Sequence, residues 1–264
     1  MRYRKGTIVV SPHGDIPLLR YVRNCRFISH RQLFQLLRQD SVLSARSSFN
    51  WRIERLLERG YMERLAGTNF QGSPVYTITR DGLLELEANG DFAVALHSMT
   101  RQMPHPLQVH HALELTEIRV ALATNHLLVR WQSEIEITSS NLVSRTPLEK
   151  DYDAIVDIWV GDEVRRFALE YERNLKGLKK YEAIKAAIEA DDQVPCILFI
   201  APHFDLLLGL MQELTPSTKR MAFSLMKPFC QQLLATSLVT GDDSPMVSFE
   251  EFLRYSHPLY IQAS

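Results

Sequence analysis

Residues 153–172 read DAIVDIWVGDEVRRFALEYE, and this stretch decides the fold of the second half of the chain. Two apolar runs flank Gly161-Asp162, a pair typical of a tight turn. Side chains alternate between the two faces of a strand, so Glu170 and Glu172 share one face and Tyr171 lies on the other. The stretch therefore predicts a β-hairpin with carboxylates at both ends, beginning at Asp153.

The carboxylates of this hairpin have two interpretations. A charged strand edge is a common solubility device. Alternatively, carboxylate oxygens on adjacent strands suit Mg²⁺, which lowers the pKa of bound water and neutralises the leaving oxygen in phosphodiester hydrolysis. In this second interpretation Asp153 and Glu170 are the metal ligands, and Glu172, Lys176 and Lys180 complete the candidate catalytic residues.

An Asp near one strand end, an acidic pair on the next strand and a following basic helix resemble the PD-(D/E)xK nuclease-like fold. More narrowly, the chain resembles the replication-relaxation family over about residues 16–200, in which a winged helix-turn-helix precedes such a domain. The residues that carry the resemblance are His111, Leu113, Glu117 and Val120 in a helix, then Asp153, then Glu170-x-Glu172-Arg173. The chain departs from the nuclease pattern at Glu172, where the pattern has Lys.

The resemblance implies a two-domain α+β/α/β protein with a restriction-endonuclease-like αβββαβ core in its second domain. It also implies a role in plasmid or mobile-element replication or in transcriptional control. The missing Lys weakens the case for hydrolysis, because a cation must stabilise the developing charge on the scissile phosphate. Lys176, Lys179 or Lys180 of the next helix could supply that cation. We expect instead that these cations and Arg173 neutralise the acidic pair in an inactive domain, and we leave enzymatic activity open.

The composition narrows the protein class. A chain of 264 residues with 45% apolar residues can form two modest cores. The sequence contains no uncharged apolar run of about 18 residues, so we expect no membrane association. Cys25, Cys196 and Cys230 lie far apart and favour reduced thiols in a cytoplasmic protein. We expect no cofactor, with Mg²⁺ required only if the nuclease interpretation holds.

Charge is distributed unevenly along the chain. Residues 1–91 contain 14 Lys and Arg against 9 Asp and Glu, whereas the remainder contains 16 against 22. The cations of the first part are almost all Arg, whose planar guanidinium suits phosphate and guanine. The first part is therefore expected to bind duplex DNA.

The first 90 residues predict a winged helix-turn-helix. An apolar stripe from Ile16 to Val22 predicts one helix, and Ser29 is a helix N-cap before residues 31–37. Phe49, Ile53 and Leu56 then recur at the spacing of a third helix, which ends near Gly60. Projection of the third helix indicates an outward face for major-groove contact. With the wing, the predicted DNA-binding residues are Ser44, Arg46, Ser47, Ser48, Trp51, Arg52, Arg55, Asn69 and Gln71.

The remaining segments complete the predicted organisation. Residues 61–65 and 75–79 predict the two strands of the wing, joined by a turn over residues 67–74. A closing helix follows, and its Leu83, Leu84 and Leu86 predict an apolar strip for homodimerisation. We expect domains at residues 1–90 and 107–264, separated by a linker of residues 91–106.

Within the second domain we expect six further elements. Residues 107–125, 175–190, 206–214 and 219–234 predict helices, and residues 127–137 and 194–200 predict strands. We expect the core-facing side chains of the second helix to be Leu178, Tyr181, Ile184, Ala187 and Ile188, and those of the fourth to be Phe223, Met226 and Phe229. The whole chain is therefore expected to be a DNA-binding protein with a nuclease-like second domain that supports assembly. Two alternatives stay open, a Mg²⁺-dependent DNA endonuclease targeted by its winged helix and an adaptor whose winged helix docks another protein.

Overall fold

The structure is a computed structural model that describes residues 10–43, 45–92, 94, 105–240 and 246–254. The chain divides into two compact units, Met1–Thr116 (unit 1) and Glu117–Ser264 (unit 2). This division falls inside a helix rather than at the predicted linker, most of which lies outside the described residues. None of the helices in the described ranges combines the length and apolar character needed to span a bilayer.

The chain is a mixed α/β protein with a three-stranded sheet in unit 1 and a seven-stranded sheet in unit 2. The apolar stripes predicted for the first three helices are buried in the core of unit 1. In chain order, unit 1 contains α1 (Asp15–Asn24), β1 (Ile28–Ser29), α2 (His30–Gln39), α3 (Arg46–Glu58), β2 (Met62–Phe70), β3 (Ser73–Ile78), α4 (Arg80–Ala88) and the first part of α5 (Pro106–Thr124).

Side-chain caps determine where two helices of unit 1 begin. Ser29 and Gln32 form a reciprocal capping box at the start of α2, in which each side chain accepts a hydrogen bond from the other residue's backbone N–H. The side chain of Thr79 accepts a hydrogen bond of 3.2 Å from the backbone N–H of Gly82 and caps α4. Both caps confirm predicted helix starts.

Strands β2 and β3 form a longer hairpin than predicted. The expected eight-residue turn is reduced to Gln71-Gly72, whose left-handed φ values of 50° and 75° fit a tight two-residue turn. The register shifts between Arg64 and Asn69, so the strand is irregular where the turn was expected. Strand β1 pairs with β3 and gives the sheet the order β1-β3-β2.

The first part of α5 packs within unit 1. Val109 and Leu113 are buried against Leu65 and Val75 of the hairpin. The Gln32 side chain also donates a hydrogen bond of 2.8 Å to the carbonyl oxygen of Leu113. These contacts explain why the boundary between the units lies inside this helix.

Unit 2 is built on one sheet with the strand order β10-β9-β8-β7-β6-β5-β4. Strands β4, β5 and β6 are antiparallel neighbours, and β6, β7 and β8 are parallel neighbours. After α5, the elements in chain order are β4 (Leu128–Ser133), α6 (Glu134–Val143), β5 (Ala154–Val160), β6 (Glu163–Tyr171), α7 (Leu178–Ala190), β7 (Cys196–Ala201), α8 (Phe204–Leu214), β8 (Arg220–Leu225), α9 (Met226–Gln232), a 3-10 turn (Leu233–Ala235), β9 (Ser237–Thr240), β10 (Val247–Ser248) and α10 (Phe249–Arg254).

Three expectations for unit 2 are wrong. Residues 134–137 are helix rather than strand, because Glu136 accepts hydrogen bonds of 2.8 Å from the N–H and hydroxyl of Ser133 and starts α6. Residues 220–225 are strand β8 rather than helix, because they pair in parallel with β7. Leu178 was expected to face inward, but it is 67% exposed in the first turn of α7.

The two faces of the unit 2 sheet bury different side chains. Ala168 of β6 belongs to an apolar cluster that includes Tyr181 of α7 and Leu210 of α8. Phe167 points to the opposite face, where its ring lies 5.2 Å from the ring of Phe249 in α10. Because strand side chains alternate, the face shared by Ala168 and Glu170 is the one that α7 and α8 cover.

Candidate nucleic-acid interface and acidic cluster

The N-terminal half of α3 exposes polar side chains on a well-packed helix. Arg46, Ser47 and Ser48 are exposed, whereas Phe49 and Ile53 are buried on the core side. The Arg46 guanidinium lies 4.9 Å from the centroid of the Phe34 ring. This contact can hold the arginine beside the helix without neutralising its charge. The predicted residue Ser44 lies outside the described residues.

Arg52 and Arg55 of the predicted outward face already have an anionic partner within unit 1. Both guanidinium groups form ion pairs with Asp15, which is fully buried at the start of α1. The Asp15 carboxylate also accepts a hydrogen bond of 2.7 Å from the backbone N–H of Ser11. Alanine at both arginines would leave a buried carboxylate without its cations, so that double variant tests folding rather than DNA contact.

Trp51 is exposed as predicted, at 49% of its surface. The Arg55 guanidinium lies 4.6 Å from the centroid of its ring, so the arginine that pairs with Asp15 also supports the indole. An exposed, supported indole on a helix surface can contact a sugar, a base or a partner protein.

Two glutamates limit the part of α3 that can approach a polyanion. Glu54 and Glu58 are exposed in the second half of the helix. Glu54 lies 3.9 Å from Arg64 of β2, but both side chains are more than half exposed, so the pair screens little of the charge. On α3 itself, exposed Arg46 places positive charge near the helix N-terminus, whereas the second half exposes these two glutamates. The residues predicted to bind DNA did not include these two glutamates.

The hairpin supplies a second exposed polar surface in unit 1. Asn69 and Gln71 are exposed at its end, beside the tight turn. Amide side chains at this position can donate and accept hydrogen bonds. The structure therefore keeps Arg46, Ser47, Ser48, Trp51, Asn69 and Gln71 as exposed candidates for nucleic-acid contact.

The predicted carboxylates of unit 2 lie where β5 begins and β6 ends, and each has a partner. Asp153 directly precedes β5, and its carboxylate accepts a hydrogen bond of 2.7 Å from the backbone N–H of Tyr171. Glu170 is only 3% exposed and forms an ion pair with Lys150. Glu172 directly follows β6 and forms an ion pair with Lys176.

Two lysines change the prediction for this cluster. Lys150 was not among the candidate residues, and its position three residues before Asp153 gave only a weak signal. Lys180 is exposed in the first turn of α7, and the lysines that contact the carboxylates are Lys150 and Lys176. Within the described residues, no group of three His, Cys, Asp or Glu side chains is arranged to hold a metal ion.

The environment of Glu170 favours its protonated form. Burial raises the pKa of Glu170, the Lys150 charge opposes this and the nearby charge of Asp153 adds to it, which together bring the pKa to about 7. Asp153 and Glu170 are therefore close enough to interact electrostatically.

Glu170→Gln is expected to flatten the pH dependence of stability. The folded pKa of about 7 lies above the reference value of 4.5, so the native state holds the extra proton between these values. Stability from this group is fully present below about pH 4.5 and is lost as the pH rises through about 7, with an amplitude of about 3 kcal/mol. Calorimetric melting of the parent and of Glu170→Gln between pH 5 and 8 tests this, with exposed Glu182→Gln as the control. Parallel melting curves for all three proteins would contradict it.

Comparisons with known proteins found no relative of this chain. No protein-family model matches the chain, and neither curated proteins nor solved structures give a significant match. A functional proposal for this chain therefore rests on its residues and their arrangement.

Proposed function

We propose that unit 1 is a winged helix-turn-helix that binds duplex DNA. The observation that carries the proposal is the Arg46-Ser47-Ser48 turn, exposed at the start of a helix that follows α2 and precedes a β-hairpin. The order of a helix, a short strand, two helices and a hairpin is typical of winged helices. In such modules the N-terminal residues of the third helix contact base edges in the major groove.

The charges on α3 support an N-terminal approach to DNA. Arg46 is exposed near the first turn, whereas Glu54 and Glu58 are exposed in the second half. The helix N-terminus also carries a partial positive charge and free backbone N–H groups that favour phosphate. Asn69 and Gln71 at the hairpin end would make a second contact, as the wing of the module.

We propose that unit 2 is a nuclease-like domain that supports assembly or partner binding without hydrolysing DNA. Its order α5-β4-β5-β6-α7-β7 matches the predicted αβββαβ core, with α6 inserted and β8, β9 and β10 added. Glu172 occupies the position of the nuclease lysine and pairs with Lys176, while Glu170 pairs with Lys150. These pairs favour a structural role for the carboxylates. The proposed biological role, as the resemblance implies, is control of plasmid or mobile-element replication or of transcription.

Homodimerisation stays a proposal with a weaker basis than the sequence suggested. Leu83 and Leu86 of α4 are buried within unit 1, and only Leu84 is exposed, at 51%. The predicted apolar strip is therefore one exposed leucine, and light scattering at micromolar concentration would test the dimer directly.

A second candidate function is a Mg²⁺-dependent endonuclease. The observation that favours it is the closeness of Asp153 and Glu170: burial raises the pKa of Glu170, and the charge of Asp153 adds to that effect. Two carboxylates at the ends of adjacent strands could hold Mg²⁺, which would supply an activated water. Lys150 or Lys176 could then stabilise charge on the phosphate.

Arg46→Ala is expected to weaken binding to duplex DNA about tenfold. It is also expected to reduce the slope of log K against log salt concentration by about 1, the share of one phosphate contact. The loss follows from removing an exposed cation that no carboxylate of the described residues neutralises. Fluorescence anisotropy of a labelled duplex at several salt concentrations measures both effects. Arg130→Ala, which removes an exposed arginine of β4 in unit 2, is the matched control. Equal affinities for the two variants would remove α3 from the interface, and a parent that binds no duplex would favour the protein-docking adaptor.

Supercoiled plasmid incubated with the full chain and Mg²⁺ or Mn²⁺ distinguishes the two roles of unit 2. We expect the parent and Asp153→Asn both to bind the plasmid and slow its migration in a gel, and neither to nick it. Nicking by the parent that disappears in Asp153→Asn, with plasmid retention unchanged, would instead support the endonuclease.

A further inference from the structure

One exposed residue of α3, Asn50, is held by a hydrogen bond from inside unit 1. Its side-chain oxygen Oδ1 lies 3.1 Å from Nε2 of His30, the first residue of α2. Because Oδ1 is an acceptor, the imidazole must donate through Nε2. The contact therefore fixes which end of the Asn50 amide faces His30.

His30 is itself held by Tyr76 of β3. The imidazole Nδ1 lies 3.0 Å from the Tyr76 hydroxyl, and the His30 ring lies 4.7 Å from the Phe49 ring. Tyr76 is only 1% exposed, so its hydroxyl is fixed within the unit 1 core. The chain Tyr76, His30, Asn50 thus connects the hairpin to the exposed side of α3.

Burial and nearby charges define where the protons lie in this hydrogen-bonded series of Tyr76, His30 and Asn50. Burial lowers the pKa of His30, and the cations Arg46 and Arg64 lower it further. Burial also raises the pKa of Tyr76, so the phenol keeps its proton. Neutral His30 therefore accepts from the Tyr76 hydroxyl at Nδ1 and donates to Asn50 at Nε2.

The amide of Asn50 keeps hydrogen-bonding capacity toward solvent. Oδ1 has a second lone pair, and the Nδ2 amino group has no acceptor among the residues that the structure describes. Asn50 lies one helical turn after exposed Arg46, in the half of α3 that contains no glutamate. Its position and its free groups are those of a residue that can contact a base edge.

We propose that Asn50 reads an adenine in the major groove and that His30 is its positioning residue. The Nδ2 amino group would donate to adenine N7, and Oδ1 would accept from the N6 amino group, the bidentate pairing that asparagine makes with adenine. The bond from His30 holds the amide in one orientation before DNA arrives, which lowers the entropy lost on binding. This inference rests on the proposed DNA-binding function and adds the base that unit 1 reads.

Selection from a randomised duplex pool with the full chain tests the inference. The parent is expected to enrich a motif with adenine at one position, and Asn50→Ala to lower the preference for that base about tenfold while preferences at other positions persist. Asn50→Asp keeps the acceptor for His30 but lacks the amino donor, so it is expected to lose the same preference. Asn125→Ala, which truncates an exposed asparagine of unit 2, is the control.

His30→Ala separates positioning from mere packing. We expect it to weaken the preference at the same adenine position more than it weakens overall duplex affinity, with circular dichroism confirming that the variants are folded. A uniform loss of affinity at every position would assign His30 a purely structural role and overturn its part of the proposal. A parent that binds duplex without selecting adenine, or an Asn50→Ala variant with the parent's motif, would overturn the assignment of Asn50. A parent that binds no duplex would overturn the proposed function and this inference together.

Discussion

Asp15→Ala is expected to destabilise unit 1 by about 3 kcal/mol or more. Asp15 is fully buried and accepts hydrogen bonds from the guanidinium groups of Arg52 and Arg55 and from the Ser11 backbone. Removing the carboxylate leaves two guanidinium groups, only 22% and 10% exposed, without their anion. It also removes the link that fixes α3 to α1. Native-state amide exchange of the slowest β3 amides measures the opening free energy of unit 1.

Asp81→Ala is the matched control for this prediction, because Asp81 is an exposed carboxylate in the first turn of α4. Its loss should change stability by less than about 1 kcal/mol through the helix dipole. Gly14→Ala provides an independent test, since a Cβ at Gly14 would lie 2.5 Å from Cζ of Arg52 and displace the guanidinium. Equal stability of Asp15→Ala and Asp81→Ala would contradict the role of the buried carboxylate.

Gly82→Ala is expected to destabilise unit 1 by about 2–3 kcal/mol, although alanine normally favours a helix over glycine by about 1 kcal/mol. A Cβ at Gly82 would overlap the carbonyl oxygen of Tyr61 and lie 2.8 Å from Cγ1 of Ile78. Both neighbours belong to the base of the hairpin, and the backbone carbonyl cannot rotate away as a side chain can. The substitution should therefore push α4 away from the strands that carry the proposed wing.

Gly209→Ala in α8 is a matched control from a second helix. A Cβ there would meet only the side chain of Leu175, which is 53% exposed and can move into solvent. We expect Gly209→Ala to be neutral or slightly stabilising. Thermal unfolding and amide exchange of the two variants measure the difference, and similar losses from both would contradict the close approach at Gly82.

Local signals predicted most of unit 1. The stripe of Phe49, Ile53 and Leu56 repeats at helical spacing, and the Ser29 cap is a short-range interaction within one turn. Both features depend on neighbours in sequence, which is why they could be identified without a structure. The partner of Arg52 and Arg55 could not, because Asp15 lies far away in sequence and a helical projection contains no tertiary contacts.

The errors in unit 2 have similar causes. Residues 133–137 alternate polar and apolar side chains as a strand does, but the Ser133 and Glu136 pair forms a capping box that starts a helix. Phe223, Met226 and Phe229 recur every three residues, close to the helical repeat, yet Phe223 lies in β8 and stacks on Phe199 of β7 at 5.4 Å. That strand forms through parallel pairing with β7, a non-local interaction that periodicity does not reveal.

The composition of the acidic cluster and its ion pair between Glu172 and Lys176 were predicted, but the pair between Glu170 and Lys150 was not. The turn at Gly161 correctly separated the two strands, and Glu170 lies in β6 while Glu172 directly follows it. Lys150 was overlooked because it lies outside any predicted element. Its contact with Glu170 depends on the loop before β5, whose path no local pattern specifies.

The most direct test of the central claim is hydrogen–deuterium exchange of the full chain with and without a duplex to which it binds. Our account predicts slower exchange in the first turn of α3 and at the Gln71-Gly72 end of the hairpin, with little change in β5 and β6. The free N–H groups of a helix N-terminus are the amides that a bound phosphate would protect. Protection confined to unit 2, with α3 and the hairpin unchanged, would contradict the proposal that unit 1 binds DNA.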